Sequence, residues 1–209
     1  MIPDTSWSAA WLDQSIPEQQ GTLAKAAFDA WIAGTPHVAF DAFKSLIEAI
    51  PERLERFLEL GCGTGIYHSV MEHLRPSCFY CGVDISQAMI DYAQRTYGEN
   101  GFFKGDAQEV RILDSHYDCV CLGSVIHHSL DWQSAIYEAY RVSQKYVILH
   151  RVVVTEEPSY EILLDAYGLK IPERILNEKE VLHYCGSLGL CLKKVERWES
   201  NASFLLEHA

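Results

Sequence analysis

The chain has 209 residues, 48% hydrophobic and 22% charged, with 29 acidic against 17 basic side chains and a formal charge of −12. This length suits one domain that buries about 70% of the surface its unfolded form exposes and needs no covalent staple, and the negative balance disfavours nucleic acid, which is gripped by Lys and Arg on phosphates. No apolar run reaches the ~18 residues of a membrane span, and Met1-Ile2-Pro3-Asp4 lacks the basic start and apolar core of an export signal, so a cytoplasmic chain without nucleic-acid or membrane partners is expected.

Pro3, Pro17, Gly34 and Pro36 break residues 1–36 into short pieces, with a helix predicted over Gly21–Ala33 from Leu23, Ala27, Ala30 and Trp31. Trp7, Trp11 and Trp31 make this segment unusually aromatic. The most informative stretch follows at Phe57-Leu58-Glu59-Leu60-Gly61-Cys62-Gly63-Thr64-Gly65. A short apolar strand runs past an acid into glycines spaced G-x-G-x-G, which suit positive φ or a backbone that a ligand approaches closely. Ile66, Val70 and Leu74 then mark one face of a helix. A dinucleotide fingerprint would need a third glycine one residue later, where Ile66 stands.

Further strands are predicted over Cys78–Val83 ending in Asp84, within Phe102-Phe103-Lys104-Gly105-Asp106-Ala107 (a strand with its exit loop), over Tyr117–Gly123 and over Tyr146–Val154. A helix is predicted over Gln87–Tyr97 and another over Glu178–Leu188, followed by strands at Cys191–Trp198 and Ser203–Leu206. The stretch at 156–176 reads as a helical insert from Tyr160, Leu163, Leu164 and Tyr167 at helical spacing, most of them packing on the domain. His68 and His73 are placed on the solvent side of their helix. Seven cysteines in such a chain read as free thiols; Cys78 and Cys81, placed on one strand, point to opposite faces, and no metal site is expected. Cys119 and Cys121 share one strand face as small core residues.

The series Glu59-x-Gly61-x-Gly63-x-Gly65, Asp84 and Asp106 resembles the class I S-adenosylmethionine-dependent methyltransferases over roughly residues 37–207. The resemblance implies a single doubly wound, Rossmann-like α/β domain (37–209). Its sheet would be mostly parallel and seven-stranded with the last strand antiparallel, beneath a helical N-terminal lid (1–36). It implies S-adenosylmethionine as cofactor and S-adenosylhomocysteine as product. Gly61, Cys62, Gly63 and Gly65 would run beside the methionine part, with Glu59 ordering the loop or meeting the ammonium. Asp84 would take the ribose diol, since a carboxylate offers two acceptor oxygens. Ile85, Met89, Asp106, Ala107, Leu122 and Gly123 would complete the cofactor site.

The same resemblance places His127 and His128 beside the reactive methyl group, one of them either a general base or part of a polar loop that orders the site. Adjacent side chains diverge, so one is expected to face the pocket. Trp7, Trp11 and Trp31 either wall the substrate pocket or cap an exposed edge of the core; Arg151, Tyr160 and Tyr167 are further substrate candidates, with His150 beside Arg151. The expected partner is a small-molecule acceptor methylated at oxygen or nitrogen, on a monomer or homodimer. The alternatives are another reaction on the same cofactor fold, or a non-catalytic subunit that kept it.

Overall fold

The computed structural model describes residues 6–209; Pro3 and the opening of the expected lid segment lie outside the described residues. Short apolar runs become the strands β1 (Arg56–Leu60), β2 (Phe79–Asp84), β3 (Phe102–Lys104), β4 (Tyr117–Gly123) and β5 (Ser143–Thr155). They pair in parallel in the order β3-β2-β1-β4-β5. Strands covered on both faces need apolar residues at successive positions, and β4 supplies them: Val120 and Leu122 join one core while Cys119 and Cys121 join the other. Chain order reverses between β1 and β4, so the loops leaving those two strands open a crevice at their carboxyl ends, where open α/β sheets bind ligands.

Helices α1 (Ser6–Ala9) and α2 (Ile16–Ile32) precede the sheet. On one sheet face lie α3 (Val38–Glu48), α4 (Ile66–Leu74) and α5 (Gln87–Tyr97), burying Phe43, Leu46, Ile47, Val70, Met71, Ile90 and Ala93. On the other lie α6 (Trp132–Val142) and α7 (Glu178–Ser187), burying Ile136, Ala139, Val181 and Cys185. Each fully buried aliphatic side chain contributes about 1.5–3 kcal/mol relative to exposure, which fixes the sheet between its two helical layers. His37 and Asp131 cap α3 and α6 by accepting backbone N–H bonds, satisfying donors that the first helical turn leaves without intrahelical partners.

The chain ends in β8 (Leu190–Trp198) and β9 (Asn201–His208), with β9 antiparallel to both β5 and β8. The antiparallel ending is as expected, but the sheet has nine strands among the described residues rather than seven. The two extra strands overturn the predicted helical insert: 156–176 forms a hairpin of β6 (Tyr160–Ala166) and β7 (Leu169–Asn177). Its turn is Tyr167-Gly168, both at positive φ (54° and 76°), the backbone of a two-residue turn whose twist matches antiparallel strands. Ile171 and Leu176 of β7 are buried, whereas Tyr160, Leu163 and Leu164 of β6 are exposed rather than packed on the domain. The helical spacing in β6 was fortuitous.

Two smaller expectations also change. His68 does not mark a solvent face: its ring lies 5.3, 5.1 and 5.8 Å from those of Tyr80, Tyr97 and Phe102. Cys78 precedes β2, so only Cys81 of that pair is on the strand.

Candidate active site

The loop after β1 is held to the end of β2 by the N–H groups of Gly61 and Cys62, which donate to the Val83 carbonyl at 2.7 and 3.0 Å. Gly61 has φ +73°, and a Cβ there would stand 2.0 Å from Val125 Cγ2; only glycine lets the loop lie against the segment leaving β4. A Cβ at Gly63 would meet Gln20 Oε1 of α2 at 3.0 Å, so the N-terminal helix reaches across the glycine loop. Contact with α5 comes through Gly21, where a Cβ would be 2.2 Å from Tyr92 Cζ. Gly65 caps α4 in the left-handed region.

Two carboxylates flank this loop in different ways. Asp84 accepts from Gly63 N–H and Ser86 N–H, one on each oxygen and both at 2.8 Å, leaving a lone pair on each oxygen for a diol. Burial raises its pKa, and the two amides oppose the rise. Glu59 is 2% exposed and accepts the Tyr80 hydroxyl rather than any amide of the loop. Its Oε1 lies 2.7 Å from where a Gly123 Cβ would be, which places the carboxyl under the junction of β1 and β4. Desolvation lifts Glu59 to about 8, Tyr80 opposing and Asp84 adding to the rise. Burial also pushes the Cys62 thiol up, so Cys62 serves as a small apolar member of the loop.

Ile85, Gly105 and Asp106 line a cleft of about 820 Å³ that runs beside β2 and β3. Asp106 turns one oxygen to Gln108 N–H at 2.8 Å, with Ala107 between them partly buried. Met89 and Leu122 are buried in α5 and β4. The expected cofactor residues therefore sit around the β1 to β3 loops and the end of β4, and they offer an adenosyl group what it needs: a backbone cradle without side chains, a diol acceptor and an apolar flank.

On the other side of the β4 exit the structure gathers residues from four segments. The 3-10 turn Ile126–His128 brings the two imidazoles to a centroid separation of 4.3 Å. Trp11 lies 4.8 Å from His128 and 6.4 Å from Tyr167, both edge-on. Glu173 of β7 points at both histidines. Arg174 stacks on Trp7 at 4.7 Å, donates to the Leu130 carbonyl at 3.1 Å and pairs with Glu161 at 2.9 Å, tying hairpin, N-terminal segment and β4 exit together. The two rings lie side by side and both approach Glu173. His128 Nδ1 donates to the Pro172 carbonyl at 2.9 Å, which leaves Nε2 with its lone pair. Burial drives His127 well down and His128 to about 4, with the Arg151 charge lowering both further; both rings are neutral at neutral pH.

Trp31 is placed elsewhere, packed on Phe28, Phe40 and His73 with its indole N–H on Asp41 at 2.9 Å. Tyr160 opens the outer hairpin strand, 51% exposed. His150 is consumed by a buried network with Tyr67 at 2.5 Å and Ser203 at 2.8 Å. Arg151 stands exposed at positive φ (56°), in the register shift of β5 against β9. Tyr80, Gln20 and Glu173 were missed in the sequence. Strand alternation could have put Tyr80 on the Glu59 face, but nothing local to Glu173 indicates its partners.

The sheet order and the glycine crevice define a Rossmann-like α/β domain. A family model described as a methyltransferase domain matches residues 58–149. Malonyl-[acyl-carrier protein] O-methyltransferase of Bacillus cytotoxicus is 32% identical over 87 residues, which are 41% of this chain and 30% of that protein. The PH0226 protein of Pyrococcus horikoshii shares the fold at a TM-score of 0.66 and 18% identity, over 81% of this chain and 88% of that one. A SAM-dependent methyltransferase of Methanosarcina mazei does so at 0.63 and 16%, over 78% and 96%. The methyltransferase-domain model spans less than half of the chain, and the solved structures share its fold. This chain matches about 30% of the length of its curated relative.

Proposed function

We propose that this chain transfers the methyl group of S-adenosylmethionine to an oxygen or nitrogen of a small molecule, releasing S-adenosylhomocysteine. The observation that carries the reading is the placement of two sites back to back. The glycine loop and Asp84 lie on one side of the segment leaving β4, and Trp11, His127, His128, Tyr167 and Glu173 on the other. The bound cofactor supplies a methyl already activated on a sulfonium. The residues of the chain then have one main task, to hold an acceptor lone pair in line with the S–CH3 bond, and such positioning is worth about 7–11 kcal/mol.

In this reading the loop Gly61–Gly65 lets the backbone run beside the methionine part and Asp84 accepts the ribose hydroxyls. Ile85, Met89, Asp106 and Ala107 flank the adenine, while Leu122 and Gly123 back the methyl. Trp7, Trp11, Tyr167 and Arg151 wall the acceptor pocket, and one of His127 and His128 meets the acceptor. The α2 helix across Gly63 supports a lid over residues 1–36 on a domain of 37–209. The name of the Bacillus cytotoxicus relative and the Arg151 charge favour an oxygen acceptor with acidic character. The enzyme would act in the cytoplasm as a monomer or homodimer. Calorimetric titration with S-adenosylmethionine, S-adenosylhomocysteine and NADH tests it: micromolar binding of the first two with no heat from NADH is expected, followed by transfer of labelled methyl to a small acceptor. No binding of either adenosyl ligand would contradict the reading.

A further inference from the structure

His127, His128 and Glu173 each offer a ligand atom, and these atoms all lie within 4.8 Å of one another. Glu173 Oε1 is 4.0 Å from His127 Nε2 and 3.9 Å from His128 Nε2. Those gaps are too long for hydrogen bonds. Ligands at about 2.0–2.2 Å from a tetrahedral ion lie about 3.4 Å apart, so an ion would draw the two carboxylate–imidazole gaps in by roughly half an ångström and the longest ligand–ligand span, up to 4.8 Å, by about 1.4 Å.

Further features suit an ion. His127 is 3% exposed, so its ring is held inside the fold with Nε2 toward Glu173. His128 donates its other ring N–H to the Pro172 carbonyl, the arrangement that fixes a metal-binding imidazole in one tautomer. Trp11 closes over the His128 ring edge-on. The ligands come from two rigid elements, a 3-10 turn and the inner strand of a hairpin, and Arg174 locks the two together through Leu130.

We infer that His127, His128 and Glu173 bind a zinc-type divalent ion with an open coordination position that takes the acceptor oxygen. Two imidazoles and one carboxylate are a ligand set for borderline first-row metals, and three protein ligands leave a fourth position free. The role of the ion rests on the methyltransferase reading; its binding does not. An acceptor hydroxyl coordinated there loses its proton to water, and its lone pair forms the new O–CH3 bond as the S–CH3 bond breaks, releasing S-adenosylhomocysteine and leaving the ion unchanged.

The test uses the full chain, stripped with chelator and titrated with Zn²⁺ by calorimetry and with Co²⁺ by visible absorption. One equivalent bound, with affinity lowered at least roughly tenfold in both His128→Ala and Glu173→Gln, is expected. Each variant is also titrated with S-adenosylhomocysteine, and affinity near wild type there shows that the fold and the cofactor site are intact. A Co²⁺ spectrum with thiolate character, or binding abolished by Cys78→Ser or Cys191→Ser instead, would overturn the assignment. So would the absence of stoichiometric binding in the wild type. Loss of metal binding with retained S-adenosylhomocysteine binding separates failure of this site from failure of the methyltransferase reading.

Discussion

The two sides of the β4 exit treat their polar groups in opposite ways. On the cofactor side each acid is already engaged, Asp84 by two backbone amides and Glu59 by Tyr80. On the proposed acceptor side two buried polar atoms, Trp11 Nε1 and His127 Nδ1, have no hydrogen-bond partner among the described residues. A satisfied network holds its geometry before the ligand arrives, whereas buried atoms without partners mark a place completed by something else. On the proposed reading, the cofactor half is set by the fold and the acceptor half is finished by what binds it.

The comparison breaks most severely at Gly61. Gly61→Val puts side-chain atoms where Val125 already stands and asks a β-branched residue to take φ +73°. Left-handed backbone costs about 1–2 kcal/mol and overpacking about 1–3 kcal/mol, so a denaturation midpoint reporting about 2–5 kcal/mol lost, together with lost S-adenosylmethionine binding, is expected. Asp84→Ala should weaken S-adenosylmethionine binding by about 1.5–3 kcal/mol, as for hydrogen bonds to a charged group. Unchanged affinity by calorimetry would remove Asp84 from the ribose role.

The two halves also respond to pH with opposite sign. Glu59 is raised to about 8 by burial, so the folded chain binds its proton more tightly than the unfolded chain. That contribution is full below about 4.5 and is lost as pH rises toward 8. His127 and His128 are lowered by burial, His128 to about 4; the His128 contribution is full above about 6.5 and is lost as pH falls toward 4. Each such group carries a slope of roughly 1.4 kcal/mol per pH unit inside its window. Glu59→Gln should therefore gain stability on the wild type as pH rises from about 5 to about 8.5, with the acid limb unchanged. Parallel urea melts at each pH would read it, and equal pH profiles would contradict the assignment.

The smallest expected effect is at the hairpin tip. Tyr167→Asn keeps a residue suited to positive φ and removes the ring that faces Trp11 at 6.4 Å. Stability should change by no more than about 0.5 kcal/mol and cofactor affinity should hold, while KM for the acceptor rises. A fall in cofactor affinity would place Tyr167 in the wrong half.

The same division explains what could be read from the chain. Glu59 through Gly65, Asp84 and Asp106 are ends of successive strands, so spacing alone brings them to one crevice, and α5 and β4 were predicted with the limits observed. The acceptor side joins Trp11, His128, Tyr167 and Glu173 across more than 160 positions, and no local pattern encodes that meeting. At 156–176 the apolar spacing matched a helix, and the deciding signal was Gly168 after Tyr167, a turn-former between two extended runs. Tyr80 stays hidden for another reason: its hydroxyl matters only through the buried Glu59 beside it.

A crystal structure with S-adenosylhomocysteine bound tests the division most directly. The account predicts the ribose on Asp84, the amino acid part along Gly61–Gly63, and the sulfur facing the His127–His128 turn. Ribose density away from Asp84, or a sulfur turned from that turn, would contradict it.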